Sequence, residues 1–375
     1  MVLLIGNYAP DRQQSMDRFG AMMLQGLRAA GVEAEIVRPP AFFGRIRALG
    51  YTATKWLGYI DKYFLFRWRL RRKLARSPDV VHICDHSNAT YARAAQRFPL
   101  VITCHDMLAI RGGLGEATDC PASWTGRILQ RWILRGLGRA DVVACVSQAT
   151  ADDARRLISS HDGRPRIAQV TLGLNYPYKR LSPEVAQHRL APITQIKRDG
   201  RFVLHVGSNL RRKNREGVLR IMARCASALD AQIVFAGDPL SDDLRRRADD
   251  LCLSRRVVEI GTASEELLEA LYNRAFALLF PSRFEGFGWP VIEAQACGCP
   301  VVSSSAGPLA EVAGAGALLR APEDEEGFAH DLLRLADPVE QANWRTKGLE
   351  NVKRFSTAQM ISEYRQIYSS ITSPC

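Results

Sequence analysis

The sequence contains no Asp-x-Asp triplet, no Gly-x-Gly-x-x-Gly after its first apolar strand and no Walker loop. These absences argue, in turn, against a divalent ion on an acidic triplet, against nicotinamide or flavin binding, and against a P-loop nucleotide hydrolase. No continuous apolar run approaches the roughly 18 residues a membrane span needs, so no transmembrane helix is expected. The first residues, Met1-Val-Leu-Leu-Ile-Gly6, lack a basic region ahead of their short apolar run and read as a first strand rather than a signal peptide. Cysteine offers no disulfide framework: nine residues, an odd number scattered through a long chain, predict free thiols in a reducing compartment, the cytosol. Glycine (28) and proline (18) are ordinary and no tract is biased toward one residue, which excludes collagen-like, linker-like and disordered classes.

What is present is a chain of 375 residues, 47% hydrophobic and 24% charged, a length that predicts two α/β-sized domains. Lys and Arg exceed Asp and Glu by 51 to 39, a formal charge of +12 that favours nucleic acid, phosphorylated metabolites or an anionic membrane surface without choosing among them. Apolar strand-like runs recur at Val2–Ile5, Val80–Ile83, Leu100–Thr103 and Asp141–Val146, and again at Phe202–Val206, Gln232–Ala236, Val257–Ile260, Ala277–Phe280 and Pro300–Ser303. Helical spacing separates them, as at Met16–Ala30, Phe42–Arg76, Arg215–Leu229, Ser264–Ala275 and Trp289–Cys297. Two βα series in tandem predict two doubly wound parallel sheets, placed at 1–175 and 201–355, with a proline-bearing linker at 176–200.

The densest motif is Pro281-Ser-Arg-Phe-Glu-Gly-Phe-Gly-Trp-Pro-Val-Ile-Glu293 and its continuation to Pro300. It follows an apolar strand, so Gly286 and Gly288 let backbone approach a ligand while the helix N-terminus behind Pro290 offers unpaired N–H groups to phosphate. Glu285 falls in the turn and Glu293 in the first turn of the helix. A carboxylate there can hold a ribose diol; its plainer use is to complement the helix dipole. This segment resembles the Glu-x7-Glu signature of retaining GT-B glycosyltransferases, the family 4-like, group 1 enzymes. The resemblance implies two Rossmann-like doubly wound domains facing across a cleft, with residues 356–375 as a helix crossing back to the N-terminal domain. It assigns the ribose of a nucleotide diphosphate sugar to Glu293, and sugar and phosphate contacts to Glu285, Gly286, Phe287 and Gly288.

The second motif, His205-Val-Gly-Ser-Asn-Leu-Arg-Arg-Lys-Asn214, is a strand ending in Gly207 followed by a basic turn into a helix. Arg212 and Lys213 there add full charges to the partial charge of the helix N-terminus, and by resemblance they stabilise the diphosphate leaving group. How the role divides between them, and whether Arg211 competes, stays open at this level. Thr103-Cys-His105-Asp106 resembles the family motif whose histidine touches the donor sugar, and Gly6 with Asn7 occupies the place of the family's phosphate-approaching loop. Ile260 is counted with the donor-binding residues. His82 and His86 read as packing or loop residues, and Cys297-Gly-Cys299 is too close-set for zinc.

Residues 41–76 carry ten Lys or Arg against one acidic residue, interleaved with nine aromatics. That composition suits an interfacial helix on anionic lipid or, alternatively, a core-packing helix with a solvated outer face; nothing in it resembles a nucleic-acid reader. The expectation is therefore a retaining, metal-independent glycosyltransferase without cofactor. It moves a sugar from a nucleotide diphosphate sugar to a hydroxyl of a saccharide or lipid-linked saccharide, in surface polysaccharide or glycolipid assembly, in the cytoplasm, either free or peripheral on the inner face of the cell membrane. A catalytically idle nucleotide-sugar or glycan binder, and a nucleotide-sugar epimerase of the same fold, are the alternatives.

Overall fold

The computed structural model describes residues 1–45, 56–159 and 163–372. The chain divides into one unit of Met1–Asn175 with Ser356–Cys375 and a second of Tyr176–Phe355. The first is built on a parallel sheet of six strands, β1 (Val2–Ile5), β2 (Ala34–Val37), β3 (Val80–Ile83), β4 (Leu100–Cys104), β5 (Val142–Cys145) and β6 (Arg166–Gln169), in the order β2-β1-β3-β4-β5-β6. β1, β3, β4 and β5 are buried at every position, as strands covered by helices on both faces must be.

The second unit repeats the plan with β7 (Arg201–Gly207), β8 (Ala231–Gly237), β9 (Val257–Ile260), β10 (Ala277–Phe280), β11 (Val301–Ser304) and β12 (Leu318–Arg320) in the order β12-β11-β10-β7-β8-β9, again parallel. The expectation of two doubly wound α/β units is thus met. In each sheet the winding reverses once, between β1 and β3 in the first and between β7 and β10 in the second. Loops leaving the carboxyl ends of two such strands diverge to opposite faces and open a crevice for ligands.

Three strands escape the sequence reading: β2, β6 and β12 lie at sheet edges and are only partly buried, so they lack the continuous apolar run of the central strands. Residues 176–200, expected as a linker, instead belong to the second unit. They carry the helix Pro183–Leu190, capped by Ser182, and are bonded along their length: Lys179 N–H to Glu269 (3.0 Å), Leu181 N–H to Asn273 (2.8 Å) and Arg189 to Glu269 (2.6 Å). The helical stretch expected at Phe42–Arg76 is helical over residues 56–74, with a π turn at Asp61–Leu65, while residues 46–55 lie outside the described residues.

The last helix, Thr357–Thr372, packs on the first unit through a buried polar chain. His82 on β3 meets the Tyr368 hydroxyl through Nδ1 (2.7 Å) and the Thr103 hydroxyl through Nε2 (2.8 Å), and Thr103 in turn meets the Tyr364 hydroxyl (2.8 Å). Burial drives the His82 pKa down to about 3, so it is a neutral packing residue.

Candidate active site

The loops after β7 and β10 meet where the second sheet reverses. Beyond Gly207 the chain makes a short 3₁₀ turn, Arg211–Lys213, and Asn214 takes a left-handed conformation (φ 52°) before the helix Arg215–Cys225 begins. Arg212 and Lys213 therefore sit in a turn ahead of the helix rather than in its first turn. Lys213 Nζ donates to Glu285 Oε1 at 2.7 Å, and Arg212 Nη1 donates to Oε2 at 3.0 Å and to the Phe284 carbonyl at 3.2 Å. Each cation takes one carboxylate oxygen of Glu285, and Arg211 is exposed. Burial opposes charge on Glu285, but Lys213 and then Arg212 more than reverse it and hold this carboxyl below the ordinary range.

Glu293 lies two turns further on, in the helix Trp289–Ala296, whose N-cap is Gly288 in a left-handed conformation (φ 105°). It is buried, and its Oε2 accepts a hydrogen bond from the Tyr272 hydroxyl at 2.8 Å. Glu285 and, more weakly, Glu293 oppose the effect of burial on Lys213, so the second carboxylate feels the same cationic cluster. Phe287 packs edge-on against Trp289 and Phe355, which fixes the loop carrying Gly286 and Gly288. Ile260 ends β9, two strands from β7 and at the same end of the sheet, with no direct bond to the cluster.

In the first unit the corresponding reversal joins the loops after β1 and β3. Gly6 leaves β1 beside Arg38, and the buried Asn7 donates through Nδ2 to Gln13 and to Asp85, while its Oδ1 accepts from Asn88 at 3.0 Å. Asp85 also accepts from the Ser87 amide (2.9 Å) and hydroxyl (2.6 Å). Burial works against its charge, yet the imidazoles of His86 and His105 and these hydrogen bonds hold its carboxyl below the usual range. His105, at the tip of β4, donates from Nε2 to the Cys84 carbonyl at 2.9 Å, and its backbone N–H points to His86 Nδ1 at 3.4 Å. Burial lowers the His105 pKa, so the ring is neutral and Nδ1 carries the lone pair.

Residues 187–349 match the family model for glycosyl transferases group 1, and residues 18–168 the model for glycosyltransferase family 4. The D-inositol 3-phosphate glycosyltransferase of Frankia alni (strain DSM 45986 / CECT 9034 / ACN14a) is 30% identical over 302 residues, covering 74% of this chain and 70% of that one. The chain belongs to the group 1 glycosyltransferases. A relative of the same description from Mycobacterium leprae (strain Br4923) is 30% identical over 297 residues, 72% of this chain, and this group 1 chain spans 63% of that relative's length. Among solved structures, HepE of Anabaena in complex with UDP and glucose superposes with a TM-score of 0.74 at 18% identity, covering 98% of this chain and 99% of that one, and so shares its GT-B fold.

Seen as a group 1 glycosyltransferase, the chain has partners that the motif reading passed over. Arg215, buried at the head of its helix, donates to Asn209 Oδ1 (2.6 Å), to the Asp238 carbonyl (2.7 Å) and to the Gly207 carbonyl, tying the ends of β7 and β8 together beneath the cationic turn. Asn214 holds the β10 loop through the Pro281 carbonyl at 3.0 Å. Tyr272 orients Glu293, and Asp85 anchors Asn7. None carries a local signal, except that Asn214 is the residue type most tolerant of left-handed backbone after glycine. His86, read as a packing or loop residue, is buried against Asp85 and His105.

Proposed function

We propose that this chain is a retaining glycosyltransferase that moves a sugar from a nucleotide diphosphate sugar to a hydroxyl of a saccharide or lipid-linked saccharide. The observation that carries the reading is the pairing of Arg212 and Lys213 with separate oxygens of one buried glutamate at the reversal point of the second sheet, in a chain of this family. When the bond from the sugar's anomeric carbon to the pyrophosphate oxygen breaks, negative charge grows on the leaving group. Fixed cations and backbone amides stabilise that charge more in the transition state than in the ground state. Arg212 and Lys213 supply the cations, and the loop Gly286–Gly288 with the helix behind it supplies the amides. Glu293, oriented by Tyr272, holds the ribose hydroxyls, and His105 contacts the sugar.

With both oxygens of Glu285 engaged by cations, that carboxylate is poorly suited to ligate a divalent ion, which supports metal-independent catalysis. In this reading the acceptor hydroxyl attacks from the face the leaving group vacates, and a departing phosphate oxygen takes its proton. The basic, aromatic segment 41–76 supports work at the cytoplasmic face of a membrane, in glycan or glycolipid assembly. UDP-sugars head the donor panel, because the fold neighbour HepE holds UDP and glucose.

The test is a panel of nucleotide sugars by thermal shift, followed by product analysis with the bound donor. A glycoside product with retained anomeric configuration supports the proposal; an interconverted free sugar nucleotide points to an epimerase, and binding without turnover to an idle relative. Glu293→Ala should weaken donor binding at least about tenfold in calorimetry, or about 1.4 kcal/mol, and, by leaving the buried Tyr272 hydroxyl without its acceptor, should also cost about 1–3 kcal/mol of stability. Unchanged affinity removes it from the ribose.

A further inference from the structure

The helix at 56–74 leaves large apolar side chains in water. Trp56 (63% exposed), Ile60 (38%), Phe64 (75%) and Trp68 (59%) recur every four residues. In a straight α-helix a four-residue repeat drifts about 40° per step, so the stripe would wrap well around the axis by Trp68. The π turn at Asp61–Leu65 advances less per residue and cancels part of that drift, keeping the stripe on one side. Its inner face is already satisfied, with Phe66, Leu70 and Leu74 in the core.

A second helix of the same unit, Trp124–Leu137, does the same thing. Ile133 and Leu137 enter the core, while Trp124 (76% exposed), Ile128 (49%) and Trp132 (44%) form an outer stripe at four-residue spacing. The two helices are neighbours: the Tyr63 and Trp132 rings lie 5.2 Å apart. Cations flank both stripes, with Arg67, Arg69, Arg71 and Arg72 exposed on one helix and Arg127, Arg131 and Arg135 on the other. The Arg72 guanidinium stacks 3.4 Å over the Trp68 ring. Across 56–74 and 124–137 the sole acidic residue is Asp61. It is buried, and its carboxylate is engaged by the amides of Phe42, Phe43 and Gly44 and by the Tyr8 hydroxyl.

We infer that these two helices form one docking face for an anionic lipid bilayer, with Trp124, Ile128 and Trp132 as anchors alongside the 56–74 stripe. The inference rests on the reading of 41–76 given above and extends it to a segment that the composition did not single out. Charge complementarity selects the occupant. An apolar stripe bordered by arginines matches acyl boundary and anionic headgroups in turn, and tryptophan favours that depth. A second copy meeting the same face about a two-fold axis would set arginine against arginine.

The experiment is sedimentation of the full chain with vesicles of phosphatidylglycerol and phosphatidylcholine, against phosphatidylcholine alone. The chain should bind the anionic vesicles, less so at high salt, with a blue-shifted tryptophan emission quenched by brominated lipid. Four of its six tryptophans lie on this face, so the emission reports it. A Trp124→Ser, Ile128→Ser double variant should lose at least about tenfold in vesicle partition, with UDP affinity and thermal midpoint unchanged, since both side chains are exposed. If the native chain ignores anionic vesicles, this inference and the reading of 41–76 both fall. If it binds and the double variant binds equally, the second helix is no part of the face and this inference alone falls. Loss of a concentration-dependent dimer in the variant, with vesicle binding intact, would make the face a self-association surface and overturn the inference as well.

Discussion

Gly237, the last residue of β8, has φ +127°, and a Cβ placed on it would stand 2.1 Å from the Gly207 carbonyl oxygen. That oxygen also accepts from Arg215, so the backbone beneath the cationic turn has no slack. Gly237→Ala should therefore separate the ends of β7 and β8, costing more than about 2 kcal/mol and weakening donor binding. Urea unfolding together with calorimetry checks this, and a variant matching the parent in both would show that the close approach is dispensable. Residue identity was legible here in a limited sense. Glu285, Arg212 and Lys213 can be picked out because charged side chains beside a glycine turn at a strand's end have few structural uses. Which oxygen each cation takes was not legible, nor were Arg215, Tyr272 and Asp85, because their partners come from strands far away in sequence.

At the level of elements, legibility followed burial. The central strands carry unbroken apolar runs because helices cover both faces, so Val2–Ile5, Val80–Ile83 and Ala277–Phe280 could be placed from sequence. The edge strand Arg166–Gln169 is half-solvated and its mixed pattern does not separate from loop, whereas the edge strand Val257–Ile260 was legible because three of its four residues are apolar. The last helix shows the reverse case, an amphipathic stretch readable as a helix whose docking depends on hydroxyls. Tyr368→Phe would leave His82 Nδ1 buried without its partner. An unpaired buried polar group of this kind costs about 1–3 kcal/mol, measurable as a lower urea midpoint with an unchanged slope. No change would show that the helix is held by its apolar face alone.

Over the whole molecule, acid sensitivity should be shared by both units. His82 in the first and His205 in the second are each fully buried, and burial lowers each pKa to about 3. Unfolded, both titrate near 6.5. Below that pH the unfolded chain binds protons that the folded chain refuses, so stability is complete above about pH 6.5 and is lost as pH falls toward 3, by up to about 1.4 kcal/mol per pH unit for each. The depressed carboxyls of Glu285 and Asp85 add their losses only at lower pH, below the ordinary carboxylate range. Thermal midpoints from pH 8 to 5 should fall, and His205→Asn should flatten the slope; parallel curves would assign the acid sensitivity elsewhere. Sequence alone determined the two-sheet class, the location of the glycine turns after β7 and β10 and the family, since apolar period, glycine placement and a specific motif are local properties. Tertiary structure alone decided that residues 176–200 belong to the second unit, that Arg212 and Lys213 share Glu285, and that two helices distant in sequence expose neighbouring aromatic stripes. Those are contacts between segments, and packing energy rather than local propensity selects them.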